Sequence, residues 1–569
     1  MRSRDTLVES LTDDTSPDVL IVGGGINGIG VFRDLSLQGV SALLVERGDF
    51  CSGTSSAPSR LIHGGLRYLE TGEFDLVRES LIERNRLLLD APHYVKPLRV
   101  WVPLKGWSGG IVDAAFRFLR LKRTPGPKGG FVVKLGLMLY DLFGARFRTM
   151  PKHRFIGRDD AHAAMPELAR SIRIVAEYYD TKITLPERLG LELIRDAEAD
   201  NPSARAISYM TMDSLADGAV VLRDSISGAR HNVRPRVLIN CAGAWLDGVD
   251  RSLSIEERLI GGTKGSHLVL RHPEFARSLA DVMLYFETAD HRICLAYALD
   301  ERHVLLGTTD IRADDPEDTV CSDAEIAYLF DVISEVLPTI PLKRDHIVFA
   351  YAGIRPLPLT RGGVAGAISR DHELRQFEAT TARPFPTIAL VGGKWTTFRS
   401  CAEQITDAAL VRLGRTRQRT TADRQIGGGV GWPRAAADLD RLLADLAFQH
   451  GVSLARLRIL VARYGLGARR YLDTLQRRPE TMLQSVKDYA REEIAYITIS
   501  ERVERLTDIL LRRTSIALLG DAGPDAIAEI AAVAGSAAGW SGIRIAEEIG
   551  ATCRFLRVRH GINGKADAA

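Results

Sequence analysis

The feature that most constrains this chain lies near its start. An apolar β-branched run, Asp18-Val-Leu-Ile-Val22, ends in Gly23-Gly24-Gly25-Ile-Asn27-Gly28, and a helical pattern follows to Gln38. A second apolar run, Ser41-Ala-Leu-Leu-Val-Glu46, comes next, so the segment reads strand, glycine turn, helix, strand. Gly23, Gly25 and Gly28 have the G-x-G-x-x-G spacing, and Glu46 ends the second strand 18 residues after Gly28. In this arrangement the first glycine permits the tight turn, the second lets backbone N–H groups approach a pyrophosphate, and the third allows close helix packing. The helix N-terminus stabilises negative charge and the acid reaches a ribose. The segment therefore predicts a dinucleotide site, without separating a nicotinamide from a flavin. A second glycine run, Gly427 to Gly431, precedes Trp432-Pro433 rather than a helix and reads as an interdomain linker.

The 569 residues are enough for several folding units. Texture divides them: short β-rich runs fill roughly 170–400, and long helical periodicity begins near Arg434. The first 17 residues and Asn563–Ala569 are expected to fray. A net charge of +3, from 75 basic and 72 acidic residues, is too balanced for a nucleic-acid binder. The six cysteines lie far apart with no CxxC pair, which argues against a disulfide framework, a zinc knuckle or a ferredoxin-type cluster; no metal is expected. No apolar h-region precedes the acidic residues of the N-terminus and no stretch of about 18 apolar residues occurs, so the expected location is the reducing cytoplasm.

Further motifs carry a resemblance. Thr54-Ser55-Ser56-Ala-Pro-Ser-Arg-Leu-Ile-His63-Gly64-Gly65-Leu66-Arg67-Tyr68-Leu-Glu resembles the FAD-dependent glycerol-3-phosphate dehydrogenases, whose pattern is SS-x(3)-[KR]-LIHGG-x-RYLE. The family-like segments Val237–Trp245, Lys264-Gly-Ser-His267, Gly307-Thr-Thr-Asp310, Ala352-Gly-Ile-Arg355-Pro-Leu and Gly392-Gly393-Lys394-Trp-Thr396-Thr397 follow in the family's order. Arg491-Glu-Glu and Leu510-Leu-Arg-Arg-Thr resemble its C-terminal domain. The resemblance implies an α/β plus α protein: a glutathione-reductase-like, Rossmann-type FAD domain (18–98, 160–253, 350–425), an antiparallel-sheet substrate domain (99–159, 254–349) and a helical domain (434–569). It implies oxidation of sn-glycerol 3-phosphate to dihydroxyacetone phosphate, with electrons passed to a membrane quinone. The expected assembly is a homodimer.

For that chemistry the protein must position the substrate C2–H, accept the hydroxyl proton and hold a dianionic phosphate. Arg67 and Arg355 suit the phosphate, because guanidinium groups bind its oxygens through paired charge-assisted bonds; Lys394 adds a point charge. The resemblance places these three in the active site, with Tyr68 and one of Thr308 and Thr309, Thr309 being preferred, as hydrogen-bond partners. His267 is the candidate base, and Arg355 shares in catalysis by stabilising the developing alkoxide. Toward the flavin, the resemblance places Gly23, Gly25, Asn27, Gly28, Glu46, Thr54, Ser55, Ser56, His63, Gly64, Gly65, Leu66, Ala242, Gly243, Gly393, Lys394, Thr396 and Thr397.

Two segments depart from the family. Tyr178-Tyr-Asp180 is followed by Thr181-Lys-Ile-Thr-Leu-Pro-Glu187, and if this loop faces the substrate another polyol phosphate, such as a four-carbon one, is open. Residues 107–123 put Ile111, Ala115, Phe118 and Leu119 on one helical face near Arg117, Arg120, Lys122 and Arg123. That pattern suits either an anionic membrane surface on the inner face of the cell membrane or packing within the protein or a dimer. Oxygen in place of quinone is a further reading. A nicotinamide-linked dehydrogenase and a flavin-binding sensor or scaffold without turnover are the readings from outside this chemistry.

Overall fold

A computed structural model describes residues 2–11, 15–66, 73–107, 130–144, 150–288, 290, 292–360 and 370–561. Val19–Val22 and Ala42–Val45 are fully buried strands that pair in parallel, Val19 opposite Ala42, with the helix Ile26–Leu37 between them in sequence. Their continuous apolar runs fit a sheet covered on both faces. Across that sheet the described strands run Glu373–Phe377, Thr387–Val391, Val237–Asn240, Val19–Val22, Ala42–Val45 and Arg205–Ile207. All neighbours are parallel except the first pair. The helices Ile26–Leu37, Pro186–Asp200 and Phe398–Leu413 contribute to its core.

A larger sheet stands against this unit. Its longest pairing is antiparallel, Val95–Leu104 against Ile174–Ile183, and Thr263–Arg271 lies between His303–Gly307 and Ile347–Arg355. Val95–Leu104 also pairs in parallel with Val282–Glu287. This layout redraws the expected domain limits: Ile174–Ile183 and residues 350–355 of Ile347–Arg355, assigned above to the flavin domain, belong to strands of the larger sheet. Their inward residues Ile174, Ala176, Tyr178, Phe349 and Tyr351 share one core with Leu98 and Val100.

From Ala436 the chain is helical, through Ala436–His450, Leu454–Tyr464, Ala468–Leu475, Arg491–Ser500, Pro524–Ala538 and Gly542–His560. The first three helices bury their own cluster around Leu457, Leu460 and Tyr471. The later ones place Ile494, Ile497, Ile527, Ile530 and Leu556 in the core of the larger sheet. Gly427–Gly429 forms a short turn packed so closely that a Cβ at Gly429 would lie 2.5 Å from the carbonyl oxygen of Asp90.

The N-terminus differs from the expected frayed extension. Arg4–Glu9 is a helix capped by Ser3, whose hydroxyl accepts from the Thr6 N–H. Leu7 and Leu11 are buried with Leu20, Leu43 and Met210, and the buried Arg4 guanidinium pairs with Asp224 and donates to the Ser208 carbonyl at 2.8 Å. Apolar residues four apart satisfy one face of a short helix, a signal masked in sequence by the charges around it. Residues 562–569 lie outside the described residues.

Candidate active site

The parallel strands end at the glycine turn. Gly23 has φ +109°, and a Cβ there would lie 2.5 Å from the Cys241 carbonyl oxygen. A Cβ at Gly28 would collide with the carbonyl of Gly23, so the turn and the first helical residues close on one another only with glycine at both places. The Ile26 N–H donates to Ser55 Oγ at 3.0 Å, which brings the Thr54–Ser56 turn over the helix N-terminus. The Trp395 indole donates to the Ser55 carbonyl at 3.1 Å, and the His63 N–H donates to Thr396 Oγ1 at 3.2 Å. These bonds gather the glycine turn, the His63-Gly64-Gly65 loop and the Gly393–Thr397 turn at one end of the sheet, where open α/β sheets bind their ligands.

Glu46 accepts from the Gly24 N–H at 2.7 Å and the Gly48 N–H at 2.9 Å, and its pKa is raised by burial against the lowering effect of those two bonds. Each oxygen keeps a lone pair for a sugar hydroxyl. Thr54 donates to the Ile354 carbonyl at 2.6 Å and Ser56 to the Gly53 carbonyl at 2.8 Å, so both hydroxyl protons serve the turn itself. The Ala242 N–H donates to Asn240 Oδ1, holding the Ala242-Gly243 turn, where Gly243 has φ +60°. Leu66 is half-buried beside the larger-sheet core and Gly65 has φ +73°.

Three features fit a flavin dinucleotide. The glycine turn keeps the backbone of Gly25 clear of any side chain of its own, Asn27 Oδ1 is buried without a hydrogen-bond partner beside Gly393, and Thr397 Oγ1 is buried in the same condition.

On the side of the larger sheet, Arg355 donates to Asp310 Oδ1 at 3.1 Å and Thr308 Oγ1 at 3.0 Å. Asp310 also accepts from Arg370 at 3.1 Å, a residue that no recognised motif had singled out. Burial, then Lys394, Arg370 and Arg84, lower the pKa of His63 to about 4, which locates these cations around one neutral imidazole. His267 lies on Thr263–Arg271 opposite Gly307 and Tyr351, stacked on Tyr351 at 4.9 Å with its Nε2 2.8 Å from Ser59 Oγ. Its Nδ1 is buried and without a hydrogen-bond partner. Burial, then Arg355 and Arg60, push its pKa down to about 3, so the ring is neutral at pH 7.

Thr309 is a correction. It is fully buried and its hydroxyl donates to Glu325 at 2.8 Å while accepting from the Ser266 N–H at 2.9 Å, so it braces the strand; Thr308 offers its hydroxyl to Arg355 and Thr309 only its backbone carbonyl, at 3.3 Å. The departure at 181–187 is packed within the protein. Thr181 donates to the Ile62 carbonyl, and Glu187 pairs with Arg60 at 3.6 Å. Before it, Asp180 accepts from the Gly64 N–H at 3.2 Å and from the Tyr140 hydroxyl at 3.0 Å, so this segment supports the glycine loop from behind. Burial raises the Asp180 pKa to about 6 against the lowering by Arg84. Arg67 and Tyr68 lie outside the described residues, as do residues 108–129 of the amphipathic segment.

Residues 18–397 match the model of the FAD-dependent oxidoreductases, and residues 419–545 that of the C-terminal domain of alpha-glycerophosphate oxidase. Fold and site thus define a flavoprotein oxidoreductase with FAD as its cofactor. A glycerol-3-phosphate dehydrogenase of Synechocystis is 33% identical over 553 residues, covering 93% of this chain and 94% of that protein. A D-erythritol 1-phosphate dehydrogenase of Brucella abortus is 32% identical over 68% of this chain and 72% of its own length. The crystal structure of a Bacillus halodurans glycerol-3-phosphate dehydrogenase complexed with FAD superposes with a TM-score of 0.75, at 21% identity, over 100% of this chain and 99% of that one. The chain belongs to the FAD-dependent glycerol-3-phosphate dehydrogenase family.

Proposed function

We propose that this enzyme oxidises sn-glycerol 3-phosphate to dihydroxyacetone phosphate and passes the electrons to a membrane quinone. The observation that supports the substrate is the gathering of Arg355 and Arg370 on one carboxylate, Asp310, with Arg370 and Lys394 both acting on His63. A dianionic phosphate suits such a set of cations. By the family pattern Arg67 and Tyr68 are further substrate-binding residues. FAD, held by the Gly23–Gly28 turn, Asn27, Glu46, Ser55 and Thr397, supplies the hydride acceptor.

The residues of this chain manage the proton. His267 is neutral and ready to accept, but burial and the cations lower its affinity. A bound phosphate offsets those cations and raises its pKa, so the imidazole becomes an effective base only with substrate in place. Arg355 stabilises the developing alkoxide. The decisive experiment is an anaerobic visible spectrum of the flavoprotein before and after sn-glycerol 3-phosphate. Bleaching is expected; an unchanged flavin overturns the substrate, and D-erythritol phosphates, prompted by the Brucella relative, are the next compounds to add. Reoxidation by a soluble quinone without peroxide supports the acceptor, and rapid peroxide release in air makes the enzyme an oxidase.

The membrane side of this reading rests on the helix Gly130–Gly144. Leu135, Met138 and Leu142 are 57%, 54% and 67% exposed at three- and four-residue spacing, while Val133, Leu137 and Tyr140 on the opposite side are buried. Arg117, Arg120, Lys122, Arg123 and Lys128 precede it in sequence. No helix among the described residues is long and apolar enough to cross a membrane. A half-immersed helix with a basic approach fits docking on an anionic surface instead. Full burial of one such side chain contributes about 1.5–3 kcal/mol, so replacing all three by Glu should abolish co-sedimentation with anionic vesicles. Unchanged vesicle binding would remove this face as the anchor.

A further inference from the structure

Outside the residues assigned above, Glu79, Asp371 and His372 bring one ligand atom each to within 4.8 Å of one another. The His372 side chain is only 5% exposed. Its Nε2 lies 2.9 Å from Gln404 Oε1, a bond the ring donates when its proton is on Nε2. Nδ1 then carries a lone pair, is buried without a hydrogen-bond partner, and faces Asp371 Oδ1 at 3.4 Å. Three potential ligand atoms thus lie together, with Asp371 Oδ1 also accepting from the His372 backbone N–H at 2.9 Å.

The spacing suits a metal. Ligands bound tetrahedrally at about 2.1 Å stand about 3.4 Å apart, the separation found between Nδ1 and Oδ1. The supporting shell is also built. Gln404 holds the far nitrogen of the imidazole, as the outer partners of metal-bound histidines do, and Ser400 donates to Glu79 Oε1. Ser400 and Gln404 lie one turn apart on Phe398–Leu413, and Glu79 lies on Phe74–Asp90, so regular elements carry most of the cluster.

We propose that Glu79, Asp371 and His372 bind a divalent transition-metal ion, Zn2+ or Mn2+. One imidazole with two carboxylates and no thiolate is the donor set those ions accept, with water completing the coordination. Such an ion would tie the helix of Glu79 to the segment that carries Arg370. It would also brace the turn before Lys394, because the Asp371 carbonyl oxygen lies 3.0 Å from where a Cβ of Gly392 would stand. The site is structural in kind and independent of which electron acceptor the enzyme uses.

The test uses the full-length flavoprotein, stripped with a chelator and dialysed against micromolar Zn2+ or Mn2+, with metal content read by plasma emission and Mn2+ binding by its paramagnetic resonance signal. One ion per chain is expected. His372→Ala and Glu79→Gln should each weaken binding by at least about tenfold. Glu79→Gln keeps an acceptor for Ser400, so it carries the test if His372→Ala fails to fold. Uptake by the parent protein no greater than by the variants overturns the proposal; the cluster is then an imidazolium paired with Asp371.

Discussion

Asp49→Asn should give an enzyme that melts at a markedly lower temperature and binds FAD at least about tenfold more weakly. The carboxylate it removes is fully buried between two guanidiniums of the C-terminal helical region: Arg513 donates to it at 2.6 and 2.8 Å and Arg512 donates alongside. Burial alone pushes the Asp49 pKa up, and Arg513 and Arg512 more than reverse that, leaving it below the ordinary carboxylate value. A carboxyl depressed in the folded state contributes stability that is present above its unfolded pKa and is lost as the pH falls through its folded one. Breaking a buried pair from one side costs about 3–5 kcal/mol, because a charge is left uncompensated in a medium that cannot solvate it.

The effect should reach the cofactor through a short path. Asp49 sits three residues after Glu46, and the Cys51 N–H donates to the Gly24 carbonyl at 2.9 Å, so the loop that Asp49 anchors is tied back onto the glycine turn. A fluorescence titration of the apoprotein with FAD measures the affinity, and thermal unfolding without FAD measures the stability. A normal FAD affinity in a destabilised variant would show that the clamp serves the fold alone.

The second large effect is expected at Arg355. Arg355→Ala should lower kcat/KM for sn-glycerol 3-phosphate by about 10²–10³-fold, the range for removing a donor aimed at developing negative charge. Asp310 keeps Arg370 as a partner in the variant, which limits the structural damage. Added guanidinium ion should restore part of the rate by supplying the missing charge. A loss smaller than tenfold, or no rescue, would move the alkoxide-stabilising role to Arg370 or Lys394.

Much of this was legible before any coordinates. The strand–turn–helix of residues 19–45 is dictated locally, because a four-residue apolar strand, a glycine turn and an acid at fixed spacing all act within about 30 residues. The positions of His63 and Lys394 followed from motif order. What escaped the sequence was long-range. Arg370 belongs to no recognised motif, and only its shared carboxylate, Asp310, sixty residues earlier, marks it. Thr308 and Thr309 are adjacent, and which hydroxyl meets Arg355 depends on Glu325 approaching from a helix to take that of Thr309. The roles of Arg512 and Arg513 were equally hidden, since their partner lies more than 460 residues away.

The order of strands in the parallel sheet bears on how the chain is made. Val19–Val22 is among the first segments to leave the ribosome, yet one neighbour, Val237–Asn240, is synthesised more than 200 residues later, and that strand's other neighbour, Thr387–Val391, later still. At about 5–20 residues per second the nascent sheet has open edges for on the order of 20–70 s. During that interval an apolar strand and its unpaired backbone are available to other chains. Production of this enzyme should therefore be sensitive to translation rate and to chaperone supply, and fragments ending before residue 391 should aggregate while the full chain does not.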